Sequence, residues 1–323
     1  MRAAALAFAA LTVTAAVLGV PVGARADETD NLTCRGRLSL DSEAVLDAWV
    51  NARIQEAVAH ANRRCPAACD AAGLADELHR RVGGSTLHPW TWIPKARLER
   101  WIPGQRDVDR CHLGFGETIY GARPYNQPWL FPFLGRIIWV ADSILVAGHV
   151  VGLDKIGHFL REGFAHWRQV ERNGEDIASS VAREWGPPHR QFRWTEYGLK
   201  GHSLTGIVSY ADVAAGYWGF RFWSDLLSLD RGGSFVTHDA HLGRFTLRRV
   251  FRFDEYVNDA WDEAINPSRL HPTLEREVQA ALQDLGLTLP VTDCRSLAAL
   301  PDARLYVNPA CLSPSVTGPV GGW

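Results

Sequence analysis

The sequence predicts a mainly α-helical fold: a multi-helix globular domain with a buried central helix, a small β-hairpin, and disulfide-fastened termini. Three observations carry this. Residues 203–227 (SLTGIVSYADVAAGYWGFRFWSDLL) are apolar on almost every side of a helical wheel, as expected of a helix enclosed by other elements. Helical periodicity with one apolar face recurs at 41–64, 154–167 and 254–265. The cysteines sit towards the two ends: Cys34, Cys65, Cys69 and Cys111 precede His112, and Cys294 and Cys311 follow Asp293. An even number of cysteines in an oxidising compartment reads as disulfides, with the pairing left open. They would fasten the ends and leave the middle to packing alone.

The chain is expected to divide into a signal peptide (1–26), a cysteine-bearing helical segment (27–111), a helical core with the hairpin (112–293) and a loop-like tail (294–323). Met1-Arg2, the apolar run 3–22 and Ala24-Arg25-Ala26 are the n-region, h-region and cleavage site of a secretory signal, so the expected address is periplasmic or secreted. Residues 27–40 are polar and read as an irregular lead-in. In 41–64 the inward face is Val45, Leu46, Trp49, Val50, Ile54, Ala57, Val58 and Ala61, and Asp41 or Ser42 can cap the helix. Pro66 opens a second helix that ends before Gly83-Gly84. A short helix follows at 96–101.

The density of glycine and proline in 114–133 denies it regular structure. As a long loop it is a candidate cleft lining, with Glu117, Tyr120, Arg123, Tyr125 and Trp129 as substrate-binding candidates. Residues 137–153 (IIWVADSILVAGHVVGL) read as a buried helix, short of the roughly 20 residues of a membrane span. The next helix, 154–167, puts Ile156, Phe159, Leu160, Phe164 and Trp167 on one side. Asp154, Gly157, His158, Arg161, Glu162 and Ala165 share the other. A helix at 175–184 precedes the central one. Phe245, Leu247, Phe251 and Phe253 alternate with polar residues and predict a strand that pairs with 235–237, with His238-Asp239-Ala240-His241 at its tip. In 254–265, Tyr256, Val257, Ala260, Trp261 and Ala264 would face in, and Glu255, Asp259, Asp262 and Glu263 out. A last helix is expected at 273–285.

The formal charge is −2, and becomes −4 once Arg2 and Arg25 leave with the signal. Such a balance offers nothing to a nucleic-acid partner. No HExxH, G-x-S-x-G, phosphate loop or paired CxxC is present. The His238-to-His241 pair matches no metal motif and reads as an ordinary hairpin tip. Asn31-Leu32-Thr33 fits the glycosylation acceptor pattern.

Chemistry is expected where two stripes meet. Thr205, Ser209, Asp212, Gly216 and Gly219 run down one side of the central helix, small enough for a neighbour to come close around Asp212. A buried carboxylate needs a partner. The polar face of 154–167 supplies one, with Asp154, His158 and Glu162 stacked at i, i+4 and i+8. His158 is the acid/base candidate, Asp212 its orienting carboxylate and Glu162 a second carboxylate. The same groups suit a divalent metal such as zinc or manganese, with Asp154, His158, Glu162 and His166 as ligands. The bland alternative is a solvated stripe with Asp212 satisfied structurally.

Asp154-Lys155-x-x-His158-Phe159 resembles the D-K-x-x-H-F signature of a family of small bacterial membrane proteins linked to glycopeptide resistance. The match covers six of 323 residues. The signal peptide, the cysteines and the long soluble segments do not belong to that family, so its function is not carried over. The expected function is a hydrolase acting on an envelope lipid or glycan. Its rivals are a non-enzymatic envelope-binding scaffold and a protein spanning the membrane at 137–153 and 204–223, which Asp142, Asp212 and Arg221 argue against. Oligomeric state is left open.

Overall fold

The computed structural model describes residues 26–64, 71–87, 94–120, 138–186, 195–196, 205–229, 234–239 and 241–312. Cys65, Cys69, Arg123, Tyr125, Trp129 and Ser203 lie outside them. The described chain is mainly helical, with eleven short strands in five small sheets.

Two helices cross at the centre. Leu153–Gly157 is α-helical, His158–Glu162 forms a π-turn, and Gly163–Asn173 resumes the α-helix until Gly174 stops it at φ +68. Against it packs Tyr210–Leu227, the predicted central helix, with Ala211, Val213, Ala214, Ala215, Phe222, Trp223 and Leu226 all buried. Its start differs from the expected one. Ser209 is the cap, accepting from the Asp212 amide, and Ile207–Val208 is a strand paired antiparallel with Arg269–Leu270. The β-branched pair therefore takes the conformation it prefers and leaves the helix to begin after it.

The two backbones nearly touch. A Cβ on Gly219 would lie 1.9 Å from the Phe159 carbonyl oxygen, and one on Gly163 2.4 Å from the Gly219 carbonyl carbon. Of the small residues expected at this contact, Gly216 and Gly219 are there, but Gly157 faces Glu99 and Ala165 is exposed. The indole of Trp223 donates to the Leu160 carbonyl (3.0 Å), tying the central helix to the π-turn. Phe159 packs among Phe222, Phe251, Phe253, Tyr256 and Trp261.

The other elements close around this pair. The predicted helix at 41–64 is present as Glu43–Arg64, burying Leu46, Val50, Ile54, Ala57, Val58 and Ala61. Its side chains Asn51 and Asn62 each bond both backbone groups of one residue, Phe251 and Phe245 respectively. Ala71–Leu78, Arg97–Trp101, Ile177–Ala182 and Pro272–Asp284 match the remaining helical expectations. The hairpin is Val236–Asp239 with Arg244–Leu247, shorter than expected, and His238 and Asp239 lie in its first strand rather than at the tip.

Three stretches depart from expectation. Residues 138–152 form strands in place of the expected helix: Ser143–Val146 pairs antiparallel with His149–Gly152 and with Arg110–Cys111, while Ile138–Ala141 pairs parallel with Ala26–Thr29. Ala147 and Gly148 both have positive φ (50° and 79°), the requirement of a tight hairpin turn, and the Asp41 carboxylate accepts from both their amides. A short apolar run is ambiguous between buried helix and buried strand, and here its β-branched content decides. The lead-in at 27–40 is ordered as that parallel strand and a short helix, Asn31–Cys34. Asn31 is buried, bonding the Val150 carbonyl and Ser143, so its side chain is engaged in the interior rather than offered to a sugar. Finally, 254–265 forms two 3₁₀ turns, Phe253–Glu255 and Asp259–Trp261, in place of an amphipathic helix. The Asn258 side chain caps the second turn, and Asp262 accepts from the Ala264 amide. Such local bonds compete with the helix.

Among the described residues no helix is long and apolar enough to cross a membrane. Cys34–Cys111 and Cys294–Cys311 form disulfides, as befits an oxidising compartment. They close loops of separation 77 and 17. Chain-entropy scaling then makes the loss of Cys34–Cys111 the costlier by about 1.3 kcal/mol. Urea unfolding of Cys34→Ser/Cys111→Ser against Cys294→Ser/Cys311→Ser should give that ordering; equal midpoints would contradict it.

Candidate functional site

The centre of the molecule is a lysine. Lys155 follows Asp154 at the start of the 153–173 helix, and its side chain has 0% exposure. Its Nζ lies 2.7 Å from Asp154 Oδ2, 2.5 Å from Asp212 Oδ1 and 2.6 Å from Glu263 Oε1. One ammonium thus faces three carboxylates, with a hydrogen bond to Asp154 Oδ2, and opposite charges this close are what allow it to be buried at all. Burial works against the charge on Lys155, yet Asp154, Asp212 and Glu263 together keep its pKa well above the ordinary lysine value.

Each carboxylate is held by a different element. The Thr29 hydroxyl, on the parallel strand, donates to Asp154 Oδ1 (2.6 Å). The Ser209 hydroxyl donates to Glu263 Oε1 (2.9 Å) while accepting from the Asp212 amide, so a single cap residue positions two acids. Tyr120 reaches Glu263 Oε2 (3.2 Å) and the Thr29 carbonyl (3.0 Å). Arg35 pairs with the adjacent Asp262 and fixes the turn that carries Glu263.

Asp212 also meets the imidazole expected of it: His158 Nε2 lies 3.1 Å from Asp212 Oδ2. Burial raises the Asp212 pKa, but His158 and Lys155 outweigh it and hold the carboxyl well below the usual carboxylate range. Glu162 Oε2 is 3.8 Å from the other ring nitrogen of His158, and Arg161 donates to Glu162 Oε1 (2.8 Å). Burial pushes Glu263 up to about 7 against the pull of Lys155, with Asp212 and Asp154 adding to the rise. Glu28, also buried, is raised well above the ordinary glutamate value by burial and then by Glu263 and Asp212.

Of the residues expected at the site, Asp154, His158, Asp212 and Glu162 are together. His166 is not: its Nδ1 is bonded to Ser180 Oγ (2.8 Å) and its Nε2 faces Gly216. Glu117 is exposed and accepts from the Gly114 amide (2.7 Å) in its own turn. Tyr120 does reach the site, as a buried hydrogen-bond donor rather than as an exposed lining. Burial, then Glu263 and Glu28, push its hydroxyl well above the ordinary tyrosine value. The sequence offers no sign of Glu263 or Thr29 at the site; Lys155, expected beside Asp154 at one end of it, is instead its hub, and Ser209 of the small-residue stripe bonds one acid by its hydroxyl and the amide of another. Glu263 was expected to face solvent, but two 3₁₀ turns in place of a helix bring it inward. The signal for Lys155 was its rarity among arginines and its place beside Asp154 on a buried helix.

Asp154, His158 and Asp212 each offer an atom within 4.8 Å of the others, the only such trio among the described residues. A divalent ion suits this set poorly. Lys155 Nζ already bridges the two carboxylates, and an ion between them would stand against a buried ammonium. Glu162, on the far side of the imidazole, does not complete the ligand set. What the arrangement can do without an ion is hold His158 by a carboxylate that stays charged. It also keeps Glu263 near neutrality beside a small cavity of about 20 Å³, room for one water molecule. Thr29, Tyr120 and Glu263 line the cavity's polar side, and Leu32, Ile119 and Leu270 are among its apolar walls.

No family model, curated protein or solved structure matches this chain.

Proposed function

We propose that this is an exported protein of the cell envelope with hydrolase activity on an envelope lipid or glycan, in which His158 is the general acid/base and Asp212 its orienting carboxylate. The observation that carries the reading is the 3.1 Å contact between His158 Nε2 and Asp212 Oδ2, backed by the Lys155 ammonium on the other oxygen of the same carboxylate. A carboxylate so held stabilises an imidazolium and fixes the ring, the arrangement general acid–base catalysis uses. Glu263, with a pKa near neutrality and a cavity beside it, replaces Glu162 as the second carboxylate able to exchange a proton. The signal-like segment at 1–26 and the two disulfides support the address.

The test is product release from envelope lipid and glycan fractions by the purified protein. His158→Ala should lower it by about 10²- to 10⁴-fold with the folded state retained. Full activity in that variant, or no turnover of either fraction by the wild type, would remove the proposal.

One observation favours a second reading, a non-enzymatic envelope-binding scaffold. The Lys155 ammonium is ringed by three carboxylates and its side chain has no exposure, as in an internal strut that sets helix register. In a scaffold, His158→Ala and Asp212→Asn should both lower the melting temperature, whereas a catalyst loses turnover in His158→Ala without that drop.

A further inference from the structure

The segment His241–Arg252 (HLGRFTLRRVFR) carries four arginines and no acid in a chain whose formal charge is −2. Leu247, expected to face inward, is 37% exposed, so alternation is broken there. Leu242, Arg244, Thr246, Arg248, Val250 and Arg252 are all exposed, while Phe245 and Phe251 between them are buried. Leu242 is 67% exposed and Val250 61%, among the largest exposures of any described apolar side chain. Arg249 pairs with Glu255 and Arg252 with Asp254, but Arg244 and Arg248 form no ion pair among the described residues. The last turn of the Glu43–Arg64 helix adds Arg63 and Arg64, both exposed, because Asn62 bonds the backbone of Phe245.

We propose that this face of the hairpin docks the protein on an anionic lipid bilayer. Leu242 and Val250 would enter the headgroup boundary, and Arg244 and Arg248 would bind lipid phosphates. Arg248 Nε donates to the Thr237 hydroxyl (3.3 Å), which leaves its charge unneutralised. Aliphatic side chains interleaved with guanidinium groups free of ion pairs match that surface in both its properties: apolar area buries at the interface and each cation gains from the negative surface potential. The planar guanidinium fork suits phosphate oxygens. Among the described residues of the segment no Trp, Tyr or Phe is exposed, so it lacks the broad stacking platform that a glycan or a single-stranded nucleic acid would use. It is also rigid. Asn51 and Asn62 fix the backbone at Phe251 and Phe245, Arg249 lies 3.8 Å over the Phe235 ring, and the Thr237 and Thr246 hydroxyls bond across the strands (3.0 Å). Docking therefore needs little ordering of the chain. The proposal stands apart from the hydrolase reading, since no residue of the Lys155 cluster takes part.

The experiment is co-sedimentation of the intact, disulfide-bonded protein with vesicles of phosphatidylcholine alone and of phosphatidylcholine with roughly 30 mol% phosphatidylglycerol, at low and high salt. Binding to the anionic vesicles only, weakened by salt, is expected. Arg244→Gln/Arg248→Gln should reduce partitioning by about 30-fold, each arginine contributing about a factor of five. Leu242→Ser/Val250→Ser should weaken binding to the same vesicles without changing its salt dependence. All four side chains are exposed, so melting temperatures should stay at the wild-type value, which separates lost docking from lost folding. No binding to either vesicle, equal binding to both, or unchanged binding by the arginine variant would overturn the proposal. Capture of the same face by an acidic protein in the absence of vesicle binding would do so too.

Discussion

Replacing Lys155 with methionine should destabilise the protein by about 3–5 kcal/mol, the cost of removing one partner from a buried ionic cluster. Methionine keeps an unbranched chain of similar bulk, so little of the loss is a cavity. It comes from Asp154, Asp212 and Glu263, whose oxygens lie 2.5–2.7 Å from the ammonium and would face one another without it. Acid should rescue the variant. The folded-state pKa of Glu263 is already raised to about 7, above its unfolded value, so the stability it contributes is present at low pH and is lost as pH rises towards 7. Without the cation Asp212 keeps only His158 to offset its burial, so its pKa rises as well. Asp212 in the wild type behaves oppositely: its lowered pKa gives stability above its unfolded value, lost only as pH falls through the folded one. The stability gap between Lys155→Met and wild type should therefore narrow between about pH 7 and about pH 5 in urea unfolding. A gap that is constant across that range, or below about 1 kcal/mol throughout, would show that Lys155 does not hold the cluster together.

The same cluster marks where the sequence could be read and where it could not. The contact between Asp212 and His158 was legible because both lie on helices whose wheel is unambiguous. One has an apolar circumference broken by a small-residue stripe, and the other has a clean polar face. Periodicity locates a residue only if the element is identified correctly. Glu263 shares an outward face with Glu255, Asp259 and Asp262 when 254–265 is treated as a helix. The Asn258 and Asp262 side chains instead bond nearby amides, the chain turns twice, and Glu263 arrives beside Lys155. Residues 137–153 mislead for a related reason, since a run broken only by Asp142, Ser143 and His149 has no clear period to distinguish helix from strand. There the evidence was the Ala147-Gly148 turn and the β-branched residues Ile138, Val140, Ile144, Val146, Val150 and Val151. Thr29 was invisible altogether, because no local pattern tells that a strand near the start will lie parallel to one more than a hundred residues later.

Gly219→Ala should be among the most damaging single changes on the surface between the two central helices, although alanine is the better helix former by about 1 kcal/mol. The new methyl carbon would lie 1.9 Å from the Phe159 carbonyl oxygen and 2.9 Å from its Cα. Those are backbone atoms of the π-turn, which no rotamer change can move aside. Overpacking of this kind costs about 3 kcal/mol or more, well beyond the propensity gain. Gly216→Ala, one turn earlier on the same stripe, is the control: its methyl would lie 3.4 Å from Glu162 Cβ, near ordinary contact, so neutrality or a gain is expected. Urea midpoints of the two variants should thus move in different directions, and similar losses in both would mean that the close approach is not what limits this position. The consequence reaches the site. Relief of the clash requires the Tyr210–Leu227 helix to move away from the π-turn that begins at His158, and Asp212 travels with it. A shift of 1 Å is enough to take a 3.1 Å contact beyond hydrogen-bonding range. In folded Gly219→Ala the His158–Asp212 hydrogen bond should accordingly be lost, which NMR would detect as a change in the chemical shift of the ring N–H proton. An unchanged ring N–H shift in a folded, destabilised variant would show that the helix approach sets stability alone and leaves the His158–Asp212 pair to other supports.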